Sequence, residues 1–178
     1  FNTAVYLKRC ATTEVDSQFM TVIGQDTISQ QFVELMNQEQ LSCDGLYRSD
    51  DATMGAYMVH LDDDGERSFS YWRKHSAATQ ITQHLQLSDL LNADYVFFTG
   101  ITLAILSDEQ RNSLLSTMAK VAQSGGKVVF DPNYRPRLWA SPEVAAASFK
   151  QALACTSVAL PGLEDFEALY GLKDQSEV

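Results

Sequence analysis

The chemically richest stretch of the chain is Asp131-Pro132-Asn133-Tyr134-Arg135-Pro136-Arg137-Leu138-Trp139. It follows the apolar run Val128-Val129-Phe130, so a carboxylate, an amide, a phenol and two guanidinium groups leave the end of a buried strand together. Arginine offers a planar fork of donors that matches a carboxylate or a phosphate, which the point charge of lysine does not. Pro136 after Arg135, and Leu138-Trp139 after Arg137, limit the freedom of this loop and imply a fixed geometry. Turn formation and helix capping are the competing reading of Asp131 and Asn133. A solvated surface position is the competing reading of Arg135 and, more strongly, of Arg137. A second basic stretch is Tyr71-Trp72-Arg73-Lys74. Strand alternation puts Tyr71 and Arg73 on one face, where the ring can stack or hydrogen-bond and the guanidinium can grip an acid. A solvated edge is the alternative there.

The charge balance gives these arginines their weight. Thirteen Lys plus Arg stand against 23 Asp plus Glu, a net charge of −10. Such a surface repels nucleic acid and anionic lipid, so an anionic ligand requires a local basic pocket. Arg67, Arg73, Lys74, Arg135 and Arg137 supply five of the thirteen basic residues from two short stretches. His60, His75 and His84 lack ligand spacing and are expected at the surface, so no metal centre built on histidine is expected. Cys10, Cys43 and Cys155 are odd in number and free of CxxC spacing, which fits reduced packing residues of a cytoplasmic protein. A nucleophile elbow, a GxGxxG loop and a Walker A motif are absent, which removes the commonest hydrolase, dinucleotide and P-loop chemistries. The most apolar window, Val96 to Leu106, is eleven residues long, well short of the ~20 that a membrane helix needs.

The elements that must position these groups alternate strand and helix, the pattern of a parallel sheet with crossover helices in one α/β unit. Phe19 to Ile23 reads as a strand ending at Gly24. Asp26 to Gln40 follows as a helix with Ile28, Phe32, Leu35 and Met36 on its inward face. Tyr95 to Gly100 is a continuous apolar run of the kind buried on both faces. Ser107-Asp108-Glu109-Gln110 is a capping box opening a helix with Leu114, Leu115, Met118, Val121 and Ala122 inward, stopped by Gly125-Gly126. Lys127 to Phe130, Val158 to Leu160 and helices from Ser141-Pro142 and Glu164 to Tyr170 complete the pattern. One segment breaks it: Thr53 to Leu61 and Arg67 to Trp72 are β-like stretches joined by Asp62-Asp63-Asp64-Gly65-Glu66, an inserted antiparallel hairpin. Composition leaves open whether this hairpin is an edge elaboration, a lid or a pairing surface. In open parallel sheets ligands bind beyond the carboxyl ends of strands, which singles out Asp131 to Arg135 and Thr99-Gly100.

FNTAVYLKR resembles the latter part of the GGxxxNxA signature that opens ribokinase-like (PfkB) carbohydrate kinases, and TVIGQD resembles the next strand of that family. DDDGERSFSYWR, FTGITLAIL and GGKVVFDPNYRPRLW are similar to its 2-keto-3-deoxygluconate kinase branch, in the right order through nearly all of the chain. The resemblance implies a ribokinase-like parallel sheet flanked by helices, with residues 53–73 as a β lid hairpin. It also implies ATP- and Mg²⁺-dependent phosphorylation of 2-keto-3-deoxygluconate on its terminal hydroxyl. By motif, Asn2 would bind substrate hydroxyls, and Tyr57, Tyr71, Trp72 and Arg73 would reach the sugar acid from the lid. Arg135 would meet the substrate, and Asn133, Tyr134 and Arg135 would lie beside the ATP phosphates. From the residues alone, Asn2 is as readily a helix cap and Tyr57 a packing residue. A keto-acid substrate needs a fixed cation where a neutral sugar does not, which is what Arg73 and Arg135 would provide. The lid would also join a homo-oligomer.

Two departures from the family pattern shape the expectation. The chain begins at Phe1 and ends at Val178, so it is expected to be a piece of the kinase domain without the N-terminal start or the C-terminal Gly-rich turn and catalytic base. On that reading no catalytic residue lies in this piece, and it does not turn over alone. The family's Asn-x-x-Glu near Mg²⁺ would fall at Gly162-Leu163-Glu164-Asp165, where the Asn is missing, and carboxylates at a helix start are the alternative for Glu164 and Asp165. The rival functions are a ribokinase-like kinase for fructose, ribose or another sugar, and a non-catalytic binding or assembly module.

Overall fold

The computed structural model describes residues 1–11 and 14–173. The chain divides into two compact units, Phe1–His84 and Leu85–Val178.

In the first unit, α1 (Asn2–Cys10) precedes β1 (Thr21–Ile23), α2 (Thr27–Gln38) and β2 (Leu46–Arg48). β1 and β2 pair in parallel, Val22 opposite Tyr47. Phe1, Phe19 and Phe32 meet with ring centroids 5.1–6.1 Å apart over Val5, Met36 and Leu41, which close the small core of this unit. Gly24 turns the chain from β1 toward α2 because nothing larger fits: a Cβ there would lie 2.6 Å from the Ala52 carbonyl oxygen. The Gly24 N–H donates to the Ser29 hydroxyl, and the Asp26 carboxylate caps α2 by accepting from the Ser29 N–H and hydroxyl. Those bonds hold the Asp26 carboxyl below the usual carboxylate range. The helix stops before Gln40, which takes a left-handed φ of 57°. Its inward face is narrower than the spacing predicts: Met36 is fully buried, whereas Ile28 and Leu35 are exposed.

The hairpin belongs to this unit. β3 (Ala56–Leu61) and β4 (Arg67–Trp72) are antiparallel in the register Tyr57–Tyr71, Val59–Phe69 and Leu61–Arg67. Its turn is fixed by the Asp62 carboxylate, which accepts from the N–H groups of Asp64 and Glu66, and by Gly65 at φ 79°. A 3₁₀ turn and α3 (Ile81–His84) follow. His84 is half-buried and stacks on Tyr47 at 5.4 Å, so it does not share the exposure expected of it; His60 and His75 do.

The second unit is a three-stranded parallel sheet in the order β5-β6-β7. β5 (Tyr95–Thr99) leads into the short α4 (Gly100–Ala104) and then α5 (Asp108–Gln123). β6 (Lys127–Asp131), α6 (Pro142–Ala154), β7 (Val158–Ala159) and α7 (Leu163–Tyr170) complete it. The capping box forms, Ser107 with Gln110 at both bonds, and Gly125 ends α5 at φ 94°. Leu114, Leu115, Met118 and Val121 face inward as their spacing requires. Phe98, Phe130 and Phe149 stack through the core at 4.9 and 5.5 Å, and Trp139 joins Phe149 edge-on at 5.4 Å. The α/β architecture with parallel strands, covering helices and an antiparallel hairpin is therefore the one expected. The cysteines depart from it: Cys10 is exposed and Cys43 and Cys155 half-buried, because Cys10 lies on the open face of the last turn of α1. Among the described residues, no helix is long and apolar enough to cross a membrane.

Candidate functional site

The β6 end is built by its neighbours. Thr99 of β5 stands level with Asp131 of β6, so the two strands finish together. The Asp131 carboxylate accepts from the Asn133 N–H at 3.1 Å, and Asn133 adopts a left-handed φ of 36°, which asparagine tolerates better than most residues. The turn-forming reading of these two residues is thus met by the Asp131–Asn133 bond. The Tyr134 N–H donates to Asp165 Oδ1 at 3.0 Å, tying the loop to the first turn of α7. Burial raises the Asp131 and Asp165 carboxyls above the ordinary aspartate value, while the charge of Arg135 opposes that rise at both.

Side-chain directions separate the three residues expected beside the nucleotide. Asn133 is half-buried and Arg135 exposed, its Nη1 donating to the Tyr134 carbonyl at 3.1 Å. The Tyr134 side chain is only 6% exposed and meets Phe149 at right angles, 6.3 Å between centroids. Its ring fastens the loop to the core. Trp139 is buried likewise, and Arg111 crosses it at 5.1 Å while donating to the carbonyls of Leu103 and Leu106.

The hairpin carries other residues expected to reach the substrate. Tyr57, Phe69 and Tyr71 form a ladder on one face with centroids 5.9–6.1 Å apart. The Arg73 guanidinium lies 4.1 Å over the Tyr71 ring, an arrangement worth about 1 kcal/mol that also fixes the direction of the fork. Tyr57 and Tyr71 remain 63% and 47% exposed, so this aromatic and cationic surface is open. Trp72, 59% exposed, projects from the opposite face beside Met58, since its register partner is Ala56. The strand period therefore parts Trp72 from Tyr57, Tyr71 and Arg73. Asn2 is exposed in the first turn of α1; the N-cap is Phe1 and no side chain caps that helix, so capping does not explain Asn2.

Two further residues shape the β6 end: Gly100, singled out with Thr99 as a strand end, and Asp165, expected only as a metal-side or helix-start carboxylate. Gly100 opens α4 so close to the loop that a Cβ would lie 2.0 Å from the Pro132 carbonyl oxygen. Asp165 meets Tyr134 across 31 residues. The glycine directly after the apolar run of β5 signalled the first; nothing in the sequence signals the bond of Asp165 to the Tyr134 loop. Among the described residues no group of three or more His, Cys, Asp or Glu is arranged to hold a metal ion.

The profile of the pfkB family carbohydrate kinases matches residues 1–178. The chain is 38% identical over 186 residues to the 2-dehydro-3-deoxygluconokinase of Escherichia coli (strain K12), covering 99% of this chain and 59% of that protein. It is 27% identical over 143 residues to a fructokinase of Salmonella typhimurium, covering 80% of this chain and 46% of that one. Among solved structures, a PfkB protein from Polaromonas sp. JS666 superposes with a TM-score of 0.87 at 26% identity, over 97% of this chain and 57% of that one. The chain thus spans less than two thirds of the length of these relatives.

Proposed function

The chain belongs to the pfkB family of carbohydrate kinases, and from that membership we propose that it serves a sugar-acid kinase transferring the γ-phosphoryl group of ATP to the terminal hydroxyl of 2-keto-3-deoxygluconate. The observation that carries this reading is the stacked Arg73–Tyr71 pair on an open hairpin face, a fixed cation on a chain of net charge −10. A neutral sugar has no use for such a cation, whereas a keto-acid carboxylate matches its donor fork. The similarity to the 2-dehydro-3-deoxygluconokinase of Escherichia coli supports the same substrate, 2-dehydro being the 2-keto compound.

In this reading the hairpin is the lid of a kinase domain that the 178 residues cover in part. Tyr57, Tyr71 and Arg73 take the sugar acid, Asn2 takes its hydroxyls, and Arg135 takes the acid or the transferred phosphoryl group. Asn133 and the Tyr134 backbone border the ATP phosphates. Charge accumulates on the phosphoryl oxygens during transfer, and a loop arginine offsets it. Mg²⁺ would come on the ATP phosphates, which commonly supply part of its ligand set at kinase sites. The exposed Met58 and Trp72 face is assigned to pairing with a second copy. The three unpaired thiols suit a cytoplasmic setting. The base expected by resemblance is not among these residues, so the 178 residues alone bind the acid without turnover.

The test is calorimetry with 2-keto-3-deoxygluconate and with fructose. Arg73→Ala and Arg135→Ala are each expected to weaken acid binding roughly tenfold while changing fructose binding little. Unchanged selectivity in both variants rejects the sugar-acid reading. The rival fructokinase reading, favoured by the similarity to the Salmonella protein, expects fructose to bind at least as tightly as the acid.

A further inference from the structure

We propose that Asp165 is the positioning residue of Arg135, holding the loop that presents it through the Tyr134 backbone; the inference rests on the reading of Arg135 as a contact for the anionic substrate. Two consecutive N–H groups in this loop are taken by two carboxylates, Asn133 by Asp131 at 3.1 Å and Tyr134 by Asp165 at 3.0 Å. The first bond is local, two residues apart, and shapes the turn. The second spans 31 residues and fixes where the turn sits relative to α7.

Tyr134 is thereby gripped at two points, its ring against Phe149 and its N–H by Asp165. Arg135 follows immediately in extended backbone, φ −128° and ψ 93°, and folds its Nη1 back onto the Tyr134 carbonyl. The peptide that Asp165 holds is thus the peptide from which Arg135 is aimed. Gly162 leaves space for the carboxylate, since a Cβ there would approach Asp165 Oδ2 to 3.3 Å. A carboxylate in the first turn of a helix is favourable in itself, but this one is turned outward onto a neighbouring loop. Asp165 also attracts Arg135 electrostatically, as does Asp131. An acceptor at this position is needed for geometry, whereas its negative charge opposes the arrival of an anion.

That division separates positioning from a bulk structural role. Asparagine keeps an acceptor oxygen for the Tyr134 N–H and removes the charge; alanine removes both. In the 178-residue chain, hydrogen exchange of the Tyr134 amide read by NMR is expected to accelerate at least tenfold in Asp165→Ala and to stay within about threefold of wild type in Asp165→Asn. Calorimetry with 2-keto-3-deoxygluconate is expected to show roughly tenfold weaker binding in Asp165→Ala and equal or tighter binding in Asp165→Asn. Binding as poor in Asp165→Asn as in Asp165→Ala overturns the inference, as does an unchanged Tyr134 amide in Asp165→Ala. Should Asp165→Ala not fold, Asp165→Asn still decides, because a large loss in that variant contradicts the acceptor role. If Arg135→Ala leaves acid binding intact, the functional reading of Arg135 fails, and the Tyr134 amide alone then decides whether Asp165 holds the loop.

Discussion

Replacing Gly100 with alanine puts one methyl group where the start of α4 meets the loop leaving β6. A Cβ at that position would stand 2.0 Å from the Pro132 carbonyl oxygen and 2.7 Å from two carbons of the Phe149 ring. Contacts below 3.0 Å are essentially never tolerated, so the carbonyl must withdraw by at least the difference, about 1 Å. A carbonyl cannot rotate away as a flexible side chain can, and Phe149 is already packed by Phe130, Tyr134 and Trp139. The cost therefore sits at the upper end of overpacking, about 3 kcal/mol. Alanine recovers up to ~1 kcal/mol through its better helix propensity. The net expectation is a loss of about 2 kcal/mol, or roughly 4–8 °C in Tm for a chain of this size. Thermal unfolding followed by Trp139 fluorescence in a Trp72→Phe background reports on the unit that contains the change. Since the displaced carbonyl belongs to Pro132, binding of 2-keto-3-deoxygluconate is expected to weaken by about tenfold or more. A Tm within about 1 °C of the parent together with unchanged binding refutes the close approach and its link to the loop.

Other perturbations test individual contacts in each of the two units. Arg111→Lys loses the fork that donates to Leu103, Leu106 and Asp108 and the stack on Trp139, from a side chain only 12% exposed; a loss of about 2 kcal/mol in urea unfolding is expected. Asp165 has a raised folded-state pKa, so its contribution to stability is fully present below the ordinary aspartate value of about 4 and is lost as pH rises through the folded value. The stability of wild type relative to Asp165→Asn should therefore fall as pH rises across that window. Asp26 is lowered instead, and its contribution is present above the ordinary value and lost on acidification, so the comparison with Asp26→Asn should change in the opposite direction. Urea midpoints across an acid-to-neutral pH series separate the two signs. Iodoacetamide followed by peptide mass analysis should label exposed Cys10 first and Cys155 last, since burial pushes the Cys155 thiol up and shields it.

What the sequence revealed depended on whether the signal was local. The capping box at Ser107, the stop at Gly125 and the Asp62 to Glu66 turn are each settled by a few neighbouring residues, and each formed where its residues predicted. β2 went unread because three residues, Leu46–Arg48, are too few to establish a period. Helical spacing placed Ile28 and Leu35 with Met36, but periodicity does not say how wide a stripe the neighbouring elements cover. Among the candidate residues, the polar loop after β6 and, separately, the Tyr71–Arg73 pair on the hairpin were legible from residue type and alternation. The inward turn of Tyr134, the separate face of Trp72 and the reach of Asp165 were not weighed or not visible, because they depend on which way a peptide faces and on a partner 31 residues distant.

The central claim is tested most directly by steady-state phosphoryl transfer from MgATP in the complete protein that contains this chain, offered 2-keto-3-deoxygluconate, fructose and ribose in turn. The sugar-acid reading predicts kcat/KM for the acid at least about a hundredfold above either neutral sugar. Fructose or ribose phosphorylated as efficiently as the acid, to within about threefold, would contradict it.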